Sequence, residues 1–249
     1  MVGGAHSRLD VHERFPASGV DIATRVMIVD GQPEIREQLA TALRSAVDLT
    51  VVGEASAAEV AMTLVERKHP DVVLLDALLT GAEGVVTAAT ALPGAPVRVL
   101  VLTPSKPGEH VFAALRAGAS GYLRRNAQPR TLVEAVRLVV DGEGVGDPVV
   151  TSRLASAYVD AARPTQAGRA QLAQLTEREL DVLRLAARGL SNAEVAAELV
   201  LSTSTVKTHM NAILGKLKLR DRVQATIVAY ETGLIRPGAD PGASWDSPP

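Results

Sequence analysis

SNAEVAAELVLSTSTVKTHMNAILGKL, residues 191–217, decides how the carboxy-terminal part of this chain folds. Ser191 and Glu194 stand three residues apart, the spacing at which a serine oxygen and a glutamate carboxylate satisfy reciprocal backbone donors at a helix start. A short helix is therefore expected from there to Leu199, with Val200 to Ser202 left for a turn. Ser202 then caps a longer helix carrying Val206, Met210, Ile213 and Leu217 at intervals of four, three and four, a stripe that should face inward. The opposite face presents Ser204, Lys207, Thr208 and Asn211, with Gly215 one turn further on.

A short helix, a tight turn and a helix with a small polar outer face match what the major groove of duplex DNA requires of a reader. Asn can bond an adenine edge, Lys a guanine edge or a phosphate, and the Thr methyl a thymine methyl. Lys216, Lys218, Arg220 and Arg222 follow the reading helix and suit phosphate contacts, which position a protein without reading sequence. Upstream, Thr176-Glu177-Arg178-Glu179 is another capping box, and Gly189 stops the helix it opens. Downstream, a last helix over 221–231 has Val223, Ile227, Tyr230 and then Leu234 on one stripe and Ala225, Ala229 and Thr232 on another. One stripe must cover the core; the other is left open between a dimer surface and a solvated face.

Toward the amino terminus the pattern changes. Short Val/Leu-rich runs at 25–30, 51–55, 71–76, 97–103 and 121–123 alternate with amphipathic stretches at 33–46, 57–67, 84–91, 108–117 and 129–140. Strict alternation of this kind predicts a doubly wound, five-stranded parallel (flavodoxin-like) sheet, whose ligand site lies at the carboxyl ends of the strands. Asp30, Asp76 and Thr103 all fall there. The expected organisation is a disordered leader (1–24), an α/β domain (25–140), a linker with a short helical stretch at 152–162 (141–171), a four-helix helix-turn-helix domain (172–236) and a disordered tail (237–249).

Bulk properties agree with an α/β domain plus an all-α domain. The 249 residues are 47% apolar and 2% aromatic, so two modest cores must be built from Ala, Val and Leu. There is no cysteine, which excludes disulfides, thiolate metal sites and cysteine nucleophiles. No apolar run reaches the ~20 residues of a membrane span, and the first residues lack a secretory pattern, so a cytoplasmic protein without membrane contact is expected. Net charge is −2, but residues 202–222 hold five basic residues and one acidic, whereas 25–147 hold 12 basic and 15 acidic. The positive field is concentrated beside the reading helix.

Leu175 to Glu179, Gly189 to Ala196 and Ser204 to His209 together resemble the LuxR/NarL-type helix-turn-helix, over nearly all of residues 172–236. That resemblance implies DNA contact at Lys207, Thr208 and Asn211. Asn211 stands where a basic residue is often found, so the resemblance leaves the base preference open. Residues 25–140 resemble the response-regulator receiver, a phospho-accepting domain that often precedes this helix-turn-helix. Asp71-Val-Val-Leu-Leu-Asp76 matches the strand ending in the phospho-acceptor, Thr103 the switch hydroxyl, and Gly118 to Tyr122 the approach to the switch aromatic.

In that family an acidic pair closes the first strand, and its second member binds Mg²⁺ together with the acceptor. Here the pair reads Asp30-Gly31, so a direct ligand is replaced by a residue without a side chain. The family's lysine is Arg125, and the proline usually four residues past the acceptor is Thr80. Asp30 and Asp76 alone make a poor magnesium site, and no cofactor is expected. An atypical receiver follows, with Asp76 seldom phosphorylated and Arg125 paired with it at rest; Asp76 as an unused strand-end carboxylate is the competing expectation.

The function expected is sequence-specific, DNA-binding transcription regulation by a dimer on double-stranded DNA, with a partner protein or small ligand acting on the receiver-like domain. Two alternatives stay open: conventional phosphorylation control, and a heterodimerising partner that modulates a related regulator. A phosphatase using Asp76 as nucleophile would need an Asp two residues later, where Leu78 stands, so enzymatic activity is not expected.

Overall fold

The computed structural model describes residues 23–93, 97–104, 107–141, 144–146, 150–151 and 170–235. The expected leader up to residue 22, the helical stretch at 152–162 and the tail from 237 lie outside the described residues.

The amino-terminal half alternates β1 (Thr24–Val29), α1 (Pro33–Arg44), β2 (Leu49–Ala55), α2 (Ala58–Lys68), β3 (Val72–Asp76), α3 (Ala82–Ala91), β4 (Arg98–Thr103), α4 (Glu109–Arg116), β5 (Gly121–Arg124) and α5 (Pro129–Val140). All strand pairs are parallel, in the order β2-β1-β3-β4-β5. Every residue of β3 is buried, as a strand covered by helices on both faces must be. Apolar residues of α1 and α5 pack with one face of the sheet around Ile28, Leu74 and Leu100. Those of α2, α3 and α4 pack with the other around Met27, Val73 and Val99. The chain leaves β1 for β2 on one side and returns to β3 on the other, so the crevice of the fold opens between the carboxyl ends of β1 and β3.

Most boundaries shift by one or two residues from the sequence expectation, and three of the shifts have a visible cause. β1 takes in Thr24, assigned above to the leader, because its N–H donates to the Asp48 carbonyl at 2.8 Å. α3 starts at Ala82, two residues early: Gly81, at φ 85°, makes the left-handed turn into the helix, and Gly84 lies inside it. The expected linker does not leave the domain at once. Val145 lies along the outer edge of β5, accepting from Tyr122 N–H at 2.9 Å and donating to the Ser120 carbonyl at 3.2 Å. A side chain at Gly121 would collide with the Val145 backbone, so only glycine allows this approach.

The carboxy-terminal half is helical: α6 (Glu177–Ala187), α7 (Asn192–Leu199), α8 (Thr203–Leu217) and α9 (Arg222–Glu231). Both capping boxes form, Thr176 with Glu179 and Ser191 with Glu194, and Ser202 and Asp221 cap α8 and α9. Val206, Met210, Ile213 and Leu217 are buried as their spacing requires. α9 departs from expectation: Val223, Ile227 and Tyr230 are buried, and so are Ala225, Ala229 and Thr232. The second stripe is neither solvated nor an open surface within this chain, since α9 packs against α6 on one side and α4 on the other. One apolar cluster accordingly runs from the α2/α3/α4 face into the helical domain.

Candidate functional site

The outer face of α8 is the first site. Ser204, Lys207, Thr208, Asn211 and Gly215 are exposed, while the helix is held from behind by its buried stripe. Ser202 organises the first turn: its hydroxyl accepts from Thr205 N–H at 3.1 Å and lies 2.8 Å from the hydroxyls of both Ser204 and Thr205. Thr208 donates to the Ser204 carbonyl at 3.1 Å. The angle between α7 and α8 is set at Val200, which adopts a left-handed conformation (φ 55°) with its side chain 90% exposed. Arg178 ties α6 to that corner by donating to the Leu199 carbonyl at 2.6 Å.

The cations expected beside phosphates divide into two groups. Lys218 is exposed, at the left-handed C-cap of α8. Lys216 instead donates to both carboxylate oxygens of Glu179, at 2.6 and 2.8 Å. Burial alone would raise the Glu179 carboxyl, but hydrogen bonds from Lys216 and from the Thr176 N–H and hydroxyl outweigh it and hold the carboxyl low. Lys216 thus fixes the last turn of the reading helix to the capping box of α6.

Arg222 is likewise held by acceptors within the chain. Its guanidinium donates to Asn192 Oδ1 at 2.8 Å and to the carbonyls of Ala186 (3.3 Å) and Leu190, joining the end of α6 and the loop after it to the start of α7. Arg220 reaches across to the α/β domain, donating to the Gly118 carbonyl at 3.1 Å and the Thr90 carbonyl at 3.0 Å. In both cases part-buried carbonyls take up the guanidinium in place of the surface position that the sequence suggested.

Arg220 belongs to a seam between the two domains. Arg98 donates to the Arg220 carbonyl at 3.2 Å, and Gln224 Nε2 donates to the carbonyls of Leu115 (2.7 Å) and Ala119 (3.0 Å) at the end of α4. Seven residues along the same face of α9, Glu231 pairs with Arg116 at 2.8 Å. Sequence reasoning missed this surface, although a polar Gln224 and Glu231 spaced two turns apart on a helix otherwise rich in apolar residues were its visible signal.

The second site is the crevice between β1 and β3. Asp30 is fully buried and Asp76 and Thr103 nearly so. Asp30 accepts from Gln32 N–H at 2.9 Å and Asp76 from Leu78 N–H at 3.0 Å. Arg125, just past β5, inserts its guanidinium between the two carboxylates: one nitrogen pairs with Asp76 and lies 3.4 Å from Asp30. The pairing expected from the sequence is present. Burial pushes the Asp30 carboxyl up, opposed by the Gln32 N–H and by Arg125, while the Asp76 charge adds to the rise. Arg36 donates to the Asp30 carbonyl at 2.7 Å, a contact the sequence did not suggest. Tyr122 is buried, its ring against Gly146.

These residues do not fit a magnesium ion. A hard divalent cation needs several oxygen ligands, whereas here a guanidinium lies on the Asp76 carboxylate and Gly31 contributes no side chain. Among the described residues no cluster of three or more His, Cys, Asp or Glu is placed to hold a metal. No helix among them is long and apolar enough to cross a membrane.

Residues 26–137 match the family described as the response regulator receiver domain, and residues 173–229 the family described as bacterial regulatory proteins, luxR family. The chain is 35% identical over 214 residues to the uncharacterized transcriptional regulatory protein YxjL of Bacillus subtilis (strain 168), covering 85% of this chain and 97% of that protein. It is 33% identical over 217 residues to the response regulator protein VraR of Staphylococcus epidermidis (strain ATCC 12228 / FDA PCI 1200), covering 86% and 100% respectively. Among solved structures, the response regulator ChrA of a heme-sensing two-component system is 34% identical, covers 86% of this chain and 100% of that chain, and superposes with a TM-score of 0.45.

Proposed function

The chain belongs to the luxR-family response regulators, a receiver domain followed by a DNA-binding helix-turn-helix domain, and from that premise we propose that it is a cytoplasmic, sequence-specific transcription regulator that acts as a dimer and is not switched by phosphoryl transfer to Asp76. The observation that carries the DNA-reading part is the outer face of α8, with Ser204, Lys207, Thr208 and Asn211 exposed on a helix whose other side is buried. In this reading Thr208 and Asn211 meet base edges, Lys207 a base edge or phosphate, and Lys218 a phosphate. Lys216, Arg220 and Arg222 are left out of the contact set, because each is held by acceptors within the chain.

Dimerisation is proposed because one reading helix gains little affinity alone, whereas two half-sites a helical turn apart combine their contacts. Supporting the loss of phosphate control is the guanidinium of Arg125 on Asp76, in a crevice where Gly31 replaces a carboxylate. A partner protein or small ligand is then the input. The proposed division is a receiver-like domain over residues 25–140 and a DNA-binding domain over residues 172–236.

Selection of bound duplexes from a random pool by the full chain tests the function. Enrichment of a two-fold related motif with half-sites about one helical turn apart is the expected outcome. Equal retention of selected and random duplex across salt concentrations would refute sequence-specific regulation. Binding that appears only when a related regulator is added would favour the heterodimer.

A further inference from the structure

The first residue of α9's cap carries a group that neither the DNA face nor the acidic crevice uses. Asp221 is fully buried. Its Oδ1 accepts from Gln224 N–H at 3.0 Å, as an N-cap should. Its Oδ2 is buried without a hydrogen-bond partner among the described residues, and so is the Ser120 hydroxyl oxygen of the facing domain. An N-cap carboxylate is ordinarily solvated. Here the receiver domain closes over it: Arg98 at the start of β4 and Ser120 before β5 face it from across the seam, with Arg220 and Gln224 beside it on its own side.

We propose that the seam is a proton-operated latch, closed most firmly when the Asp221 carboxyl is protonated and loosened when it ionises between the two domains. An ionised carboxylate shut away from water in the seam is costly even with the Ser120 side chain facing it, while a protonated one carries no charge to desolvate. Burial pushes the Asp221 carboxyl from 3.8 up to about 6, against the lowering pull of the Gln224 N–H, Arg98, the Ser120 side chain and the Val223 N–H. Undocking returns the group to water and to the ordinary value, so docking takes up a proton. The contribution to docking is fully present below about 3.8 and is lost as pH rises through about 6. Arg125 and Asp76 play no part in this, so the latch stands or falls separately from the reading of the acidic crevice.

The test uses the full chain, which contains no cysteine. Spin labels on Val47→Cys and Glu198→Cys, both exposed and one on each domain, report the interdomain distance distribution. The docked-to-undocked ratio should be about tenfold larger near pH 5 than near pH 7.5. Asp221→Asn keeps the cap and is neutral, so its ratio should be the same at both pH values and larger than that of the parent chain at either. Repeating the series in Gln224→Ala, which loses two hydrogen bonds to receiver carbonyls, brings more of the undocked form into range. A ratio independent of pH in both the parent and Gln224→Ala chains would overturn the proposal. So would a pH dependence that persists in Asp221→Asn, which would assign the titration to another group.

Discussion

Arg125 at the end of β5 is paired with Asp76 at the end of β3, and the same guanidinium nitrogen stands 3.4 Å from Asp30. One cation therefore faces two buried carboxylates in the place where an incoming phosphoryl group would need Mg²⁺. The Asp76 carboxylate is already paired without a ligand, although Asp30 Oδ2 and Arg125 Nε stay buried without hydrogen-bond partners among the described residues, and that pairing is the physical reason to expect a weak response to phosphoryl donors.

Phospho-acceptance should be recoverable. A Cβ at Gly31 would meet nothing closer than 3.9 Å, and the backbone there is not left-handed, so the position accepts a residue with a side chain. Gly31→Asp with Arg125→Lys is expected to take up one phosphoryl group from acetyl phosphate and Mg²⁺, read by intact mass, while the parent chain remains unmodified. Rapid stoichiometric uptake by the parent would reject the reading.

Removing the cation should be costly to the fold. Arg125→Ala leaves Asp30 and Asp76 buried and uncompensated, a loss of about 3 kcal/mol in urea unfolding of the α/β domain at neutral pH. Adding Asp76→Asn should restore much of it. Additive destabilisation by the two changes would mean that the pair is not coupled.

The α/β alternation and both capping boxes were legible because each rests on local periodicity or on a three-residue spacing. The inward stripe of α8 was legible for the same reason. The partners of Arg220 and Arg222 were not, because a cation's sequence neighbours do not reveal which distant carbonyls lack donors. Gly118 and Thr90 lie 102 and 130 residues from Arg220. The pairing of Arg125 with Asp76 was accessible only through resemblance, which placed both residues in one crevice.

Lys216 and Lys218 should respond differently to neutralisation. Lys218→Met is expected to reduce the salt dependence of DNA binding by about one counterion, because its charge is exposed. Lys216→Met should leave that slope unchanged and instead lower stability by about 1–2 kcal/mol, a modest figure because the ammonium is partly exposed. Equal slope changes in the two variants would return Lys216 to the phosphate contacts.

Val200 stores strain in the turn between α7 and α8. A β-branched residue at φ 55° with 90% of its side chain exposed has no burial to offset that conformation. Val200→Asn should stabilise the helical domain by about 1 kcal/mol in thermal unfolding. No gain would indicate that Val200 makes a contact outside this chain.

Charge reversal on the outer face of α8 shows whether that face reads DNA. Lys207→Glu with Lys218→Glu, in a variant whose circular dichroism matches the parent, should lower affinity for the selected duplex by roughly a hundredfold or more at moderate salt. Unchanged affinity in the folded double variant would contradict it.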